Sequence, residues 1–296
     1  MMRDEPARHL RKITAMKAKS FSFSLLLGLV STTAWLALSL GAVSLASSGC
    51  GDSAEEKTAG KRVTLRTRVE SADDLSKPTL NARGWSVTWS RVLVSVSSLY
   101  YYDGAPPSLA RLPSPSLWQR WFGISVAHAH PGHYQAGNAM GQMLTAASFD
   151  LVSGPTDLAE GEGVTGPYRS ASLLFGSPAQ GQMAAVLGSN VILVEGTATR
   201  EQEIRVFRAR ATAADVTNAS GTVGVDGCVF DEATINDNGT VVVRFSPSVW
   251  IDQVDFTDVP ASSDTPVEFP AGSAAQQAFT LLGVTRASAY SFAFEP

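Results

Sequence analysis

The chain has 296 residues, of which 17% are charged and 44% hydrophobic, and carries a net charge of −4. That is enough chain for one large core or two small ones, and the acidic balance argues against nucleic acid as a partner, because phosphate binding needs a basic surface. Two cysteines, Cys50 and Cys228, are too few for a disulfide framework.

The N-terminus reads as an export signal. Arg3, Arg8, Arg11, Lys12, Lys17 and Lys19 outweigh Asp4 and Glu5, and an uncharged run follows from Phe21 to Gly49. The run ends Leu45-Ala46-Ser47-Ser48-Gly49-Cys50-Gly51, which resembles a bacterial lipobox: cleavage precedes Cys50, whose thiol then receives diacylglycerol. The alternative is an uncleaved membrane helix, since the run is long enough to span a bilayer. Either way the remaining chain lies outside the cytoplasm, and the expectation is a cell-envelope protein, on the periplasmic face of the outer membrane or the cell surface. Residues 1–49 are then a signal peptide, 50–62 the lipidated Cys50 and a flexible tether, and 63–296 the folded body. With Cys50 lipidated, Cys228 has no partner, and a buried, inert thiol is expected.

Val63, Leu65, Thr67 and Val69 alternate with polar residues as a half-buried strand. Trp85, Val87 and Trp89 keep one phase and Val92, Val94 and Val96 the other, so a β-bulge or a bend between sheets is expected near Ser90-Arg91. This run ends in Tyr100-Tyr101-Tyr102, and a Pro-rich loop follows at 105–120. Trp118 and Trp121 close that loop; they could plug the domain edge or face the membrane or a partner, and plugging is the commoner role of large aromatics. Gln135–Gly141 reads as loop, Met143–Val152 as a short strand or helix, and Gly154–Tyr168 as an acidic, Gly-rich loop. Strands are expected at Ser170–Phe175, Val191–Thr199 and Ile204–Thr212, the last two forming a hairpin. Val223–Ile235 and Thr240–Phe245 flank Asp237-Asn238-Gly239, a strong hairpin signal. Phe279–Val284 and Ala289–Phe294 read as closing strands, and Ser248–Val254 and Ala274–Ala278 as single helical turns. About ten short strands without long helical periodicity predict an all-β fold: a single antiparallel β-sandwich.

Three of the four histidines fall in Val126-Ala127-His128-Ala129-His130-Pro131-Gly132-His133-Tyr134. Phe122, Ile124, Val126, His128 and His130 alternate with small residues, so read as a strand they share one face. Two imidazoles spaced about 6.5–7 Å at Cα can converge on one ion. Pro131-Gly132 supplies a turn that brings His133 back as a third ligand. Imidazole suits zinc and copper. Three nitrogens plus water resemble an open zinc site, Met140 or Met143 would favour copper, and Asp157, Glu160 or Glu162 would favour zinc. The bland reading is a solvated strand end.

Catalytic signatures are absent: there is no Gly-x-Ser-x-Gly elbow and no phosphate loop. Asp150, Asp157, Glu160 and Glu162 could form an acid/base pair but read more simply as a solvated loop. Asp226, Asp231, Asp237 and Asp252 lack calcium-loop spacing. The leading expectation is a non-enzymatic metal-binding protein, with the membrane and an envelope protein as partners. The alternative is an interaction or carbohydrate-binding module using Trp85, Trp89, Trp118, Trp121 and Tyr100–Tyr102. A metal-dependent hydrolase ranks below both.

The segments His128-Ala129-His130-Pro131-Gly132-His133-Tyr134, Gly166-Pro167-Tyr168-Arg169-Ser170-Ala171 and Val241 to Asp252 resemble uncharacterised lipoproteins of myxobacteria and their relatives. Residues 168–296 are similar to periplasmic copper-associated β-sandwich proteins of methanobactin gene clusters. This resemblance implies copper and a di-haem partner enzyme. No ligand is carried over by position, because no metal motif aligns.

Overall fold

A computed structural model describes residues 60–106 and 136–296. They belong to the larger of two compact units, Ala54–Pro296; the other unit is Met1–Ser53. The strands are β1 (Arg62–Ser71), β2 (Thr79–Leu80), β3 (Ser86–Tyr102), β4 (Ala139–Met143), β5 (Ala147–Asp150), β6 (Thr156–Asp157), β7 (Gly161–Val164), β8 (Gly166–Phe175), β9 (Asn190–Arg200), β10 (Glu203–Thr212), β11 (Gly224–Ile235), β12 (Gly239–Phe245), β13 (Ser262–Glu268) and β14 (Tyr290–Glu295). Short helices α1 (Ala184–Leu187), α2 (Pro247–Ile251) and α3 (Ala274–Phe279) lie between them, and α3 runs on into a π-helical turn, Thr280–Val284.

The fold is mostly β, but the expected antiparallel sandwich is not what forms. All 14 strands belong to one mixed sheet. Three of its pairings are parallel: β1 with β12, β10 with β13, and β11 with β14. Part of the sheet closes on itself. From β3 the hydrogen-bonded path runs through β4, β7, β1, β12, β14, β11 and β8, and β8 pairs back onto β3. The C-terminal half of β3 thus has both edges occupied, with Leu99 opposite Met143 on one side and Leu173 on the other. Its N-terminal half instead starts a branch, in which β9, β10 and β13 follow β3 outward and β2 covers the other edge.

β3 serves both parts because it is bulged twice. Trp85, Val87 and Trp89 are buried, then Val92, Val94 and Val96, then Leu99 and Tyr101. Register shifts fall at each change of phase, between Trp89 and Arg91 and between Val96 and Ser98. A bulge inserts one residue, bends the strand and returns its apolar side to the core.

The interior of the ring is filled. Tyr101 lies 6.3 Å from Tyr168, 5.9 Å from Phe230 and 6.1 Å from Phe292 between ring centroids, and all four rings are buried. Gly163 in β7 makes room for this packing: a Cβ there would sit 2.5 Å from the Tyr168 hydroxyl and 2.7 Å from Leu65 Cδ1. Under the branch, the Phe207 ring lies tilted at 4.8 Å from Phe256 and 5.7 Å from Phe269, and Phe269 reaches Phe279 of α3 at 6.1 Å. The opposite face of the branch carries a row of charges, Arg91–Glu195–Arg208–Glu268–Arg210.

Several local expectations are met: the β9–β10 hairpin, with Arg200 opposite Glu203, and the turns at α2 and α3. Others are corrected. β11 and β12 do not form a hairpin across Asn238-Gly239, because β14 lies between them, parallel to β11 and antiparallel to β12. Gly239 does not have the positive φ of a type I′ turn. Its missing Cβ instead lets the Phe294 ring lie against the backbone, while Asn238 Oδ1 accepts the Thr64 N–H at 2.8 Å. Phe279–Val284 is helical rather than extended, since Gly283 packs on the Trp250 backbone. Gly154–Tyr168 contains β6, β7 and the start of β8, and Gln135–Gly141 contains the start of β4.

Candidate functional site

Cys50, His128, His130, His133, Trp118 and Trp121 lie outside the described residues. The roots of the stretch bearing the histidines are described. Residues 107–135 leave after Pro106 and return at Ala136. Asp103 closes this base, as its Oδ1 accepts the Asn138 N–H at 2.7 Å and its Oδ2 the Asn138 side-chain amide at 2.8 Å. Backbone bonds from Asp103 N to Asn138 O (3.2 Å) and from Gly104 N to Ala136 O (3.0 Å) continue the ladder, and Ser170 Oγ donates to Gly104 O at 2.6 Å.

The five auxiliary ligands expected from sequence scatter. Met143 is fully buried opposite Leu99, so its thioether belongs to the core. Asp157 is exposed and paired with Arg68 at 3.0 Å. Glu160 is exposed just before β7. Met140 and Glu162 do come together, in the wall of an open cleft of about 650 Å³ that also takes in Lys61, Arg62, Gln142 and Asn238. Lys61 is tied to Asp237 across it at 3.1 Å. Sequence reasoning missed Lys61, Gln142 and Asn238 as neighbours, since strands far apart in the chain bring them together. Among the described residues no three His, Cys, Asp or Glu side chains cluster as a metal site would require.

Acid/base and calcium alternatives find no shared geometry. Asp150 Oδ1 accepts the backbone N–H of Val92 at 3.1 Å and of Val152 at 3.0 Å, a capping role. Asp226 is engaged by Asn218, Asp237 by Lys61, and Asp252 by Gln253. Where the fold displaces an ionisation, the group moves away from neutrality. Burial pushes the Tyr168 hydroxyl up to about 12. Burial likewise raises Tyr101 and the Cys228 thiol. Cys228 is free and buried, as expected of an inert thiol.

The aromatic alternative loses two of its residues. Trp85 is buried, donates its indole N–H to Asp255 at 3.1 Å and lies 4.3 Å beneath the Arg200 guanidinium. Trp89 is also buried and donates to Thr79 Oγ1 at 3.2 Å. Of the tyrosine run, Tyr101 is inside the ring and Tyr100 and Tyr102 are half-buried. These positions form no exposed platform.

No protein-family model matches the chain, no curated protein matches it, and no solved structure matches it. Among the described residues no helix is long and apolar enough to cross a membrane.

Proposed function

We propose that this chain is a lipid-anchored, extracytoplasmic β protein that binds a transition metal ion, zinc or copper, through His128, His130 and His133, without catalysing a reaction. The observation that carries the reading is the His-x-His-x-x-His spacing, in a chain whose remaining histidine, His9, lies in the signal segment. Neutral imidazoles at that spacing have the chemistry of zinc and copper ligands. The likeness to copper-associated proteins is what keeps copper beside zinc.

Two features of the described residues support the reading. The interior of the ring is packed with the side chains of Tyr101, Tyr168, Phe230 and Phe292, so recognition is expected from segments outside it. The Asp103–Asn138 clamp fixes the base from which the histidine-bearing stretch departs. Met140 or Glu162, on the cleft wall that begins at Ala139, is the fourth ligand nearest to that base in sequence or register. Met140 would favour copper and Glu162 zinc.

The test is elemental analysis of the protein purified from metal-replete medium, beside a variant with all three histidines changed to alanine. The wild type is expected to retain about one metal ion per chain, from the three-nitrogen ligand set, and the variant none. Equal metal in both would overturn the proposal.

A further inference from the structure

All eight strands of the closed ring present an end at one rim, and the chain segments outside the described residues meet the domain there. β1 starts at Arg62 opposite Val164, the end of β7. β8 starts at Gly166 opposite Ile235, the end of β11. β12 starts at Gly239, with Thr240 opposite Glu295 at the end of β14. β3 ends at Tyr102, opposite Ala139 at the start of β4. The chain reaches this rim at Gly60, where Lys61 N donates to Thr165 Oγ1 at 3.0 Å and Thr165 N to Lys61 O at 2.8 Å. Pro106 and Ala136, the limits of residues 107–135, follow β3 and precede β4 at the same rim.

We infer that this rim is the surface of the domain that faces the lipid bilayer. The inference rests on the lipidation of Cys50 in the proposed function and adds the orientation. Ten residues, 51–60, separate Cys50 from Lys61. Ten residues of chain reach about 36 Å at most. The 17 residues of β3 extend over about 55 Å at the rise of a strand. A tether this short, fixed to the rim by the Lys61–Thr165 bonds, holds the rim at the membrane and the other end of the body away from it. That other end carries α2, α3 and the π-helical turn with exposed Leu281, beyond Phe245 and Tyr290. It stands about 20 Å from the rim along β12 alone. The rim itself has mixed charge, with Lys61 paired to Asp237 and Arg62 near Glu162, so the anchor, rather than attraction to anionic lipid, sets the orientation.

Single labelling sites test this directly, because Cys228 is buried and a lipidated Cys50 cannot react. Asn236→Cys at the rim and Leu281→Cys at the far end are both exposed positions. Each full-length variant is purified from membranes, labelled with a fluorophore, and reconstituted into phosphatidylcholine vesicles bearing head-group nitroxides. The mass of the Cys50 peptide is measured in parallel. The expected result is a diacylglycerol mass on Cys50, loss of fluorescence at position 236, and little loss at 281. Diacylated protein with equal loss at both positions, or greater loss at 281, overturns the orientation and leaves the anchor standing. An unmodified Cys50 overturns the anchor and the orientation together.

Discussion

The closed ring and the branch share one strand, β3, and bury it by different chemistry. Inside the ring, Tyr101, Tyr168, Phe230 and Phe292 fill the space, and the polar atoms among them are neutral hydroxyls. Tyr168 donates to Met140 O at 2.8 Å and Val164 O at 2.9 Å, bonding β8 to β4 and β7 through its side chain. The branch has an aromatic underside as well, but its upper face is held by the ladder in which Glu195, 7% exposed, sits between Arg91 and Arg208. A ring closed by backbone bonds needs only interior volume to be filled. An open branch has an edge, β13, and ties it back through Glu268 to Arg208 and Arg210. Asp264 and Pro266 in β13 also discourage pairing with another chain.

This contrast can be broken at graded cost. Tyr101→Ala removes the ring's central side chain, and urea unfolding should show a loss of about 3–5 kcal/mol, the range for deleting a large buried aromatic. Gly163→Ala attacks the same packing by overfilling, with an expected cost of about 1–3 kcal/mol. A cost near zero for Tyr101→Ala would mean that the ring is not packed around it.

On the branch, Glu195→Ala leaves Arg91 and Arg208 without their shared carboxylate. Buried pairs cost about 3–5 kcal/mol to break, but these two arginine side chains are 42% and 30% exposed. Solvent screening therefore reduces the expected loss to about 1–2 kcal/mol. That loss should shrink in high salt, whereas the Tyr101→Ala loss should not. Tyr168→Phe comes next, at about 1 kcal/mol for hydrogen bonds made by a neutral hydroxyl.

The smallest effect is acid sensitivity at exposed carboxylates. Asp74 is held down to about 2 by Lys77 first and then by the Ser76 hydroxyl and N–H. Asp255 is lowered by the Thr257 hydroxyl and N–H, then by Trp85 and Arg200. A carboxylate with a depressed folded-state pKa stabilises the fold above its unfolded value of about 3.9. That contribution fades as pH falls through the lower folded value. For Asp74 the window runs from about 4 down to about 2. Asp74→Asn should lower stability slightly at neutral pH, by an amount reduced by solvent screening at this exposed site, and converge with the wild type near pH 2, which flattens the dependence on pH within the window.

The side of each strand was legible in the sequence, while its partner was not. The phase change at Ser90-Arg91 announces the first bulge of β3, and the short polar turn between β9 and β10 announces their hairpin. Ring closure depends on pairings such as Leu65 with Gly239 and Leu99 with Leu173, which alternation cannot encode because it specifies a face and no neighbour. The Asn238-Gly239 signal failed because a later strand, β14, took the place between its flanks. Phe279–Val284 failed because a short apolar run has the same composition in a buried helix as in a strand. The candidate ligands divide in a similar way. Sequence proximity suggested Met143 and Asp157, which the fold commits to the core and to Arg68. Met140 and Glu162 share a cleft because β4 pairs with β7.

The metal reading makes a further prediction that does not depend on the stability of the body. Ligating imidazoles must be neutral, so binding should weaken below about pH 6 and recover on return to neutrality. The central claim is tested most directly by X-ray absorption at the metal edge of the loaded full-length protein. Three imidazole nitrogens are expected, at about 2.0–2.1 Å if the ion is zinc, and they should be lost in the His128→Ala, His130→Ala, His133→Ala variant. A first shell made only of oxygen, or one unchanged in that variant, would contradict it.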